Sequence, residues 1–229
     1  MSQAPLAPEV IELLGDDRVW PWLLIEDQAL VGELASAGVV PMALAEGRDA
    51  ALVVRRTHPE GRARDVLAAL EVPIVYSAQE SRVSWRHPRS SYQQDPPQVE
   101  VFQQAIPALT ELAERAGLLP GPAPAGPGAR SPEDLVLDVL LAHELYHHLA
   151  LTSLGRVSAR HRLRRRVVGP VGRWVEVPVL DELGAHAFVR EFCRLRVTTV
   201  ILDLLTIYRS PERFDDLVRR ARSLRDGAA

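Results

Sequence analysis

The chain has 229 residues, of which 47% are hydrophobic and 25% charged, values typical of a globular protein with material for one large domain or two small ones. Its net charge of -3 and its pI near 6.2 exclude a globally basic protein, so composition gives no reason to expect nucleic acid or an anionic membrane as a partner. The single cysteine, Cys193, excludes an intramolecular disulfide and fits a reducing compartment.

The N-terminal residues, MSQAPLAPEVIELLGDD, lack the basic segment followed by an apolar run that marks a secretory signal. The longest apolar candidate for a membrane span, residues 197–208, contains Asp203 and is too short to cross a bilayer. We therefore expect a cytoplasmic protein.

The first third of the chain mixes short apolar runs with one helical pattern. Residues 38–45 (GVVPMALA) and 50–56 (AALVVRR) are rich in β-branched side chains, which predicts two strands. Residues 60–70 have helical spacing, and residues 72–78 (VPIVYSA) predict a further strand. Residues 1–80 are therefore expected to form a small α/β accessory region.

The middle of the chain alternates predicted elements with proline-containing connections. A polar stretch with a short strand around residues 83–86 precedes a strand at residues 98–102 (QVEVF). A helix should follow over residues 103–116, with Gly117 as its C-cap. Residues 118–130 (LLPGPAPAGPGAR) predict an irregular loop.

The tetrapeptide SPED gives a strong start signal for the next helix. Ser131 can cap it, Pro132 suits its first position, and the two acids favour the positive end of the helix dipole. Residues 132–151 are apolar on nearly every side, which predicts a buried central helix. A second long helix should begin near residue 178 and extend past Leu205, and SPER at residues 210–213 should open a short terminal helix.

The buried helix carries the sequence HELYHH, whose polar groups need partners in an apolar environment. His143 and His147 are four residues apart, so they project from one face of the helix, where two imidazole nitrogens can bind one ion. Glu144 lies beside that face. In the pattern H-E-x-x-H the histidines bind zinc, and the glutamate takes a proton from metal-bound water.

A third ligand is expected from the second long helix, in LDELGAHAF. Glu182 and His186 lie one turn apart there, and zinc accepts either carboxylate or imidazole. Gly184 and Ala185 are small enough for this helix to approach the HExxH helix closely. His148 should point away from the ligand face and pack against a neighbouring element.

Together, His143, Glu144, His147 and Glu182 resemble the signature of gluzincin metallopeptidases, in particular small cytoplasmic ImmA/IrrE-like and minimal zincin-fold proteins. The resemblance covers residues 96–192, less than half of the chain, and HExxH is its most specific element. It implies that the two histidines and Glu182 bind Zn2+ while Glu144 is the general base. It also implies that residues 98–102 form an edge strand along the cleft, where an extended peptide substrate would pair.

The sequence departs from the resemblance at His186, where many gluzincins carry an aspartate that accepts a hydrogen bond from a ligand histidine. A neutral His186 could accept that bond through one ring nitrogen. The alternatives are that it contacts the substrate or simply packs.

Residues 155–174 contain arginines and a histidine but no acid, and they connect the two ligand helices. One interpretation is a solvated basic loop or hairpin. The other is an anion-recognition element for an acidic substrate or a phosphate backbone, because clustered guanidinium groups bind anions in a fork geometry. The arginines concerned are Arg162, Arg164, Arg165 and Arg166.

These observations predict an α+β protein in which a zincin-like metallopeptidase domain, residues 81–229, follows the accessory region. The expected function is zinc-dependent hydrolysis of a peptide or protein substrate, with neither membrane nor nucleic acid as a partner. Two alternatives stay open: a metal-bearing sensor or binding module without turnover, and a structural domain without metal. An intact Glu144 favours catalysis, because zinc binding alone does not require a base at that position.

Overall fold

A computed structural model of the protein describes residues 5–25, 28–59, 61–78, 89–118, 131–168, 171–207 and 211–227, which form an α+β fold. The helices are α1 (Pro8–Gly15), α2 (Trp20–Leu24), α3 (Gln28–Ala37), α4 (Val39–Thr57), α5 (Ala63–Ala69), α6 (Ala105–Arg115), α7 (Pro132–Leu149), α8 (Val157–Arg160), α9 (Val179–Phe192), α10 (Val200–Ile207) and α11 (Pro211–Arg225). The strands are β1 (Ile74–Ser77), β2 (Ser90–Gln94), β3 (Pro97–Phe102), β4 (Leu163–Val168) and β5 (Val171–Val175).

Several predicted elements are confirmed, namely α5, β1, β3 and α6, together with the start of α7. Ser131 caps α7 by accepting a hydrogen bond from the backbone N–H of Asp134 at 3.1 Å. A π-helical turn, Ala150–Leu154, continues α7 beyond its predicted end. The strand predicted around residues 83–86 and all but the first residue of the predicted loop at 118–130 lie outside the described residues.

The first sheet has the strand order β1-β3-β2, with β1 parallel and β2 antiparallel to β3. The prediction that residues 98–102 form an edge strand is therefore wrong, because β3 lies between two partners. The alternation of valine and polar residues in β3 indicates which face of the strand is buried. It does not indicate whether other strands pair with both of its edges. Among the described residues, β2 is the edge strand on the side of α7, and it packs against that helix.

The two strands predicted at residues 38–45 and 50–56 are instead parts of one helix, α4. Its buried side chains recur three and four residues apart, which is the period of a helix; they are Val39, Val40, Ala43, Leu44, Ala50, Ala51 and Val54. Pro41 is tolerated because it lies in the first turn, where a backbone N–H has no partner within the helix. Residues 1–80 are consequently mostly helical, with β1 as their described strand.

The second long helix is also shorter than predicted, since α9 ends at Phe192 and α10 begins at Val200. Arg194 adopts the left-handed conformation with φ 54°, and the N–H of Leu195 donates to the carbonyl of Arg190 at 2.9 Å. This is the Schellman pattern that usually carries glycine at the left-handed position. With arginine there, the sequence contains no stop signal, which explains the error.

Helices α4, α9 and α7 are stacked, with glycines at the contacts. A Cβ on Gly47 of α4 would lie 2.2 Å from the carbonyl oxygen of Gly184 in α9. A Cβ on Gly184 would in turn lie 2.2 Å from the hydroxyl of Tyr146 in α7, so α9 approaches α7 as closely as expected. The hydrophobic core thus joins residues from both sides of position 80, while the division into regions 1–80 and 81–229 stays a prediction.

None of the described helices alone has the length and apolar character needed to cross a bilayer, although α4 and the adjoining part of α3 (Leu30–Ala37) reach that threshold together as a pair bent by 72°.

Candidate metal centre

Helix α7 presents the two motif histidines on one face near its C-terminal end. The ring nitrogens His143 Nε2 and His147 Nε2 lie 3.1 Å apart, and each side chain is about one-fifth exposed (21%). Their spacing of four residues produces this convergence, because the helix completes roughly one turn between them.

Glu182, in the first turn of α9, faces both histidines. Its Oε2 lies 3.3 Å from His143 Nε2, and its other oxygen, Oε1, lies 3.5 Å from His147 Nε2. In a tetrahedral zinc site with ligand bonds of about 2.0–2.1 Å, neighbouring ligand atoms are about 3.3 Å apart. One ligand atom from each of the three side chains lies within 4.8 Å of the others, close enough to converge on a metal ion, and the half-exposed Glu182 opens the site to solvent.

The charges at this cluster favour a cation. Burial lowers the pKa of His143, but the hydrogen bond and charge of Glu182, with smaller contributions from Glu144 and Asp203, outweigh it and raise that pKa to about 9. Burial and the neighbouring His143 charge lower the pKa of His147 to about 4. Desolvation opposes ionisation of Glu182, but the histidines outweigh it and lower the pKa of Glu182. One positive charge is thus stabilised between two nitrogens and a carboxylate.

Glu144 lies on the adjacent face of α7 and is almost fully buried. The hydroxyl of Ser90 in β2 donates to Glu144 Oε1 at 2.6 Å, and the backbone N–H of Tyr92 also donates to the carboxylate. Burial raises the pKa of Glu144 above its usual range, although His143 and these hydrogen bonds oppose the increase. A buried carboxylate with a raised pKa is suited to accept a proton and to return it.

His148 shares this second face and does not reach the cluster, as expected from its position. Its Nδ1 lies 3.0 Å from the hydroxyl of Tyr92, and the two rings meet edge to face. Sequence reasoning overlooked both Ser90 and Tyr92. Their spacing of two residues places both side chains on one face of the strand, but it does not indicate which element that face packs against.

His186 lies behind His143, outside the ligand cluster, with ring centroids 5.2 Å apart. Its Nδ1 is 3.0 Å from the hydroxyl of Thr199, and its Nε2 is 3.2 Å from Asp203 Oδ2. Of the two candidates for the third ligand position, the structure brings Glu182 to the motif histidines and pairs His186 with α10.

Asp203 is a further residue that the sequence did not single out. Burial opposes its ionisation, but Arg89 and His186 outweigh that effect and lower its pKa. Arg89, immediately before β2, contacts Asp203 at 2.6 Å and donates to the carbonyl of Leu202 at 3.1 Å. The sequence does carry one signal for Asp203, because it is the single acid in the apolar run VILDLL. A carboxylate removed from water requires a partner, so its position predicts one.

The arginine-rich segment contains α8 and the strands β4 and β5, which pair in antiparallel orientation. Arg162 pairs with Glu176 at 2.9 Å, so this side chain already binds an acid of the same chain. Arg164 is exposed opposite Trp174, whose side chain is 63% exposed. The side chains of Arg165 and Arg166 lie outside the described part of the chain. Anion recognition by the four arginines stays a prediction.

No protein family, curated protein or solved structure matches the chain. The likeness to gluzincins therefore rests on the motif and on the convergence of the three candidate ligands with a buried Glu144 beside them.

Proposed function

We propose that the protein is a zinc-dependent peptidase with a zincin-like catalytic domain over residues 81–229. The observation that carries this proposal is the convergence of His143, His147 and Glu182, one ligand atom of each lying within 4.8 Å of the others. Because two nitrogens and one carboxylate oxygen leave a fourth position free, the set is of the catalytic rather than the structural type. A zinc ion bound there would activate water and polarise the carbonyl of the scissile bond.

Glu144 would perform the proton transfers. Its carboxylate accepts a proton from the attacking water and later gives that proton to the leaving amine. Its burial beside His143 suits both steps, because the raised pKa keeps the protonated form accessible after the first transfer. Its neighbours Ser90 and Tyr92 limit its motion.

The substrate is proposed to be an extended peptide that adds to the outer edge of β2. Within the described residues β2 pairs with β3 alone, and the N–H of Tyr92 points away from β3 toward Glu144. A peptide that pairs with this edge would pass beside the general base. Backbone hydrogen bonds would then supply affinity, which is the usual result of strand addition. A reducing, cytoplasmic location is part of the proposal, since Cys193 is the only cysteine.

A metal-binding module without turnover is the second candidate. The observation that favours it is that Glu144 already accepts hydrogen bonds from Ser90 and Tyr92, as a purely structural carboxylate would. Hydrolysis separates the two candidates, because both predict a bound metal ion.

The deciding experiment compares wild type, Glu144→Gln and Glu133→Gln for zinc content and for cleavage of a peptide library. Glu133 is an exposed acid at the start of α7 and serves as the matched control. We expect all three proteins to bind one zinc ion. Glu144→Gln should lose at least about 100-fold in hydrolysis, the usual contribution of a general base, while Glu133→Gln keeps wild-type activity. Full activity of Glu144→Gln would exclude the mechanism, and zinc without hydrolysis in wild type would favour the binding module.

A further inference from the structure

Strand β2 and helix α7 are joined by two side-chain contacts in register. Ser90 bonds to Glu144 at 2.6 Å, and Tyr92 bonds to His148 at 3.0 Å. Two residues along a strand advance about 6.8 Å, and four residues along a helix advance about 6 Å, so both contacts can form together. The match fixes how β2 lies along the helix beside the candidate metal centre.

The beginning of β2 is anchored independently of α7. Arg89 precedes Ser90 and binds α10 through Asp203, the carbonyl of Leu202 and the hydroxyl of Thr206. The backbone at Ser90 is held further because β2 pairs with β3 along its length. The hydroxyl is therefore held at the carboxylate by the surrounding structure, which is the condition for a group that orients another.

The chemistry of the contact is directional. A carboxylate has two oxygens and accepts hydrogen bonds only, so a hydroxyl that donates to Oε1 restrains that oxygen and leaves acceptor capacity for water. Without this donor, a buried glutamate on a helix could rotate toward His143, whose charge attracts it, and away from Glu182, whose charge repels it. Proton transfer depends steeply on geometry, so such rotation should slow catalysis more than it weakens substrate binding.

We propose that Ser90 is a positioning residue that orients Glu144 for proton transfer, a role that rests on the proposed peptidase function. In this role the side chain of Ser90 contacts Glu144 and not the metal ligands. It acts through the hydrogen bond to Glu144 Oε1, and the backbone N–H of Tyr92 assists it.

Three variants test the role: Ser90→Ala, Ser90→Thr and Ser223→Ala. Ser223 is the matched control, because it is an exposed serine of α11, outside β2 and the candidate metal centre. We expect Ser90→Ala to lower kcat about tenfold or more with KM and zinc content unchanged, as for partners that orient a functional group. Ser90→Thr keeps the hydroxyl and should restore most of kcat, while Ser223→Ala should resemble wild type.

A double-variant cycle separates orientation of Glu144 from a general effect on the fold. In the Glu144→Gln background, Ser90→Ala should not lower the residual rate further, because the group it orients is gone. Wild-type kcat in Ser90→Ala, or an equal loss in Ser223→Ala, would overturn the role of Ser90 while leaving the peptidase proposal intact. A wild-type protein that binds zinc but hydrolyses nothing would overturn the peptidase proposal, and the role with it.

Discussion

The two neighbouring faces of α7 carry the same residue spacing but meet different partners. His143 and His147 face Glu182 of α9 at 3.3 and 3.5 Å. One residue further along the helix, Glu144 and His148 face the hydroxyls of β2 at 2.6 and 3.0 Å. Both pairs lie four residues apart, so each projects from a single face.

The difference lies in the protons that the partners supply. On the β2 face, hydroxyl groups donate or accept as required, so each polar group finds a complete hydrogen bond without an ion. On the α9 face, two ring nitrogens and a carboxylate converge, and the cluster needs a proton or a metal ion to offset the repulsion of their lone pairs. Spacing of four residues thus brings two side chains to one face in both cases, but the partner chemistry decides which face is suited to a metal ion.

The largest effect should come from removing a ligand on the α9 face. His143→Ala and His147→Ala should each lose most of the bound zinc and the stability that zinc adds, because metal-binding free energy contributes to folding. His148→Phe is the control on the β2 face; it should keep zinc and destabilise the protein by only about 1 kcal/mol through the lost hydrogen bond to Tyr92. Zinc per chain and unfolding midpoints with and without zinc measure both effects. Equal zinc loss in His148→Phe would contradict the distinction between the faces.

Local signals in the sequence predicted those elements whose boundaries they mark. Ser131 and Pro132 predicted the start of α7. Gly117 predicted the end of α6, and in the structure it adopts the left-handed conformation with φ 61°. Arg194 adopts nearly the same conformation at the end of α9, but an arginine in the sequence does not indicate a helix end. In α4, β-branched residues suggested strands, but the helical spacing of its buried side chains prevailed.

The candidate site was predictable only where its residues belong to one helix or a known pattern. The spacing of His143 and His147 placed them together, and the resemblance to gluzincins indicated Glu182. Ser90 and Asp203 come from distant parts of the chain, and their contacts depend on how β2 and α10 pack around α7 and α9. Contacts of this kind have no periodicity in the sequence, so the fold had to be known before they could be found.

The next effect is smaller and more selective: replacing Glu182 and replacing His186 should lower zinc affinity by different amounts. Glu182→Ala removes a ligand and should cost far more zinc affinity than His186→Ala, since losing a group that only supports a ligand typically costs about 10–100-fold. His186 contacts the ring of His143 and bonds to Thr199 and Asp203, so it can act only through the ligand. Zinc competition with a chromogenic chelator measures both variants. A greater loss in His186→Ala would mean that the ligand set has been assigned to the wrong residue of α9.

The smallest predicted effect is the pH dependence of zinc affinity, which tests the charges of the α9 face directly. His143 must lose a proton to bind metal, and its pKa of about 9 means that it is protonated near neutral pH, so affinity should rise with pH. His147, with a pKa of about 4, is already neutral there, and Glu182 is already ionised because its pKa is lowered. Zinc binding should therefore release one proton, and affinity should increase about tenfold per pH unit from about pH 6 to about pH 8. His148→Phe should show the same slope, because its ring titrates on the other face. A hundredfold increase per pH unit would show that zinc binding releases a second proton, and the expected release of one proton would then be wrong.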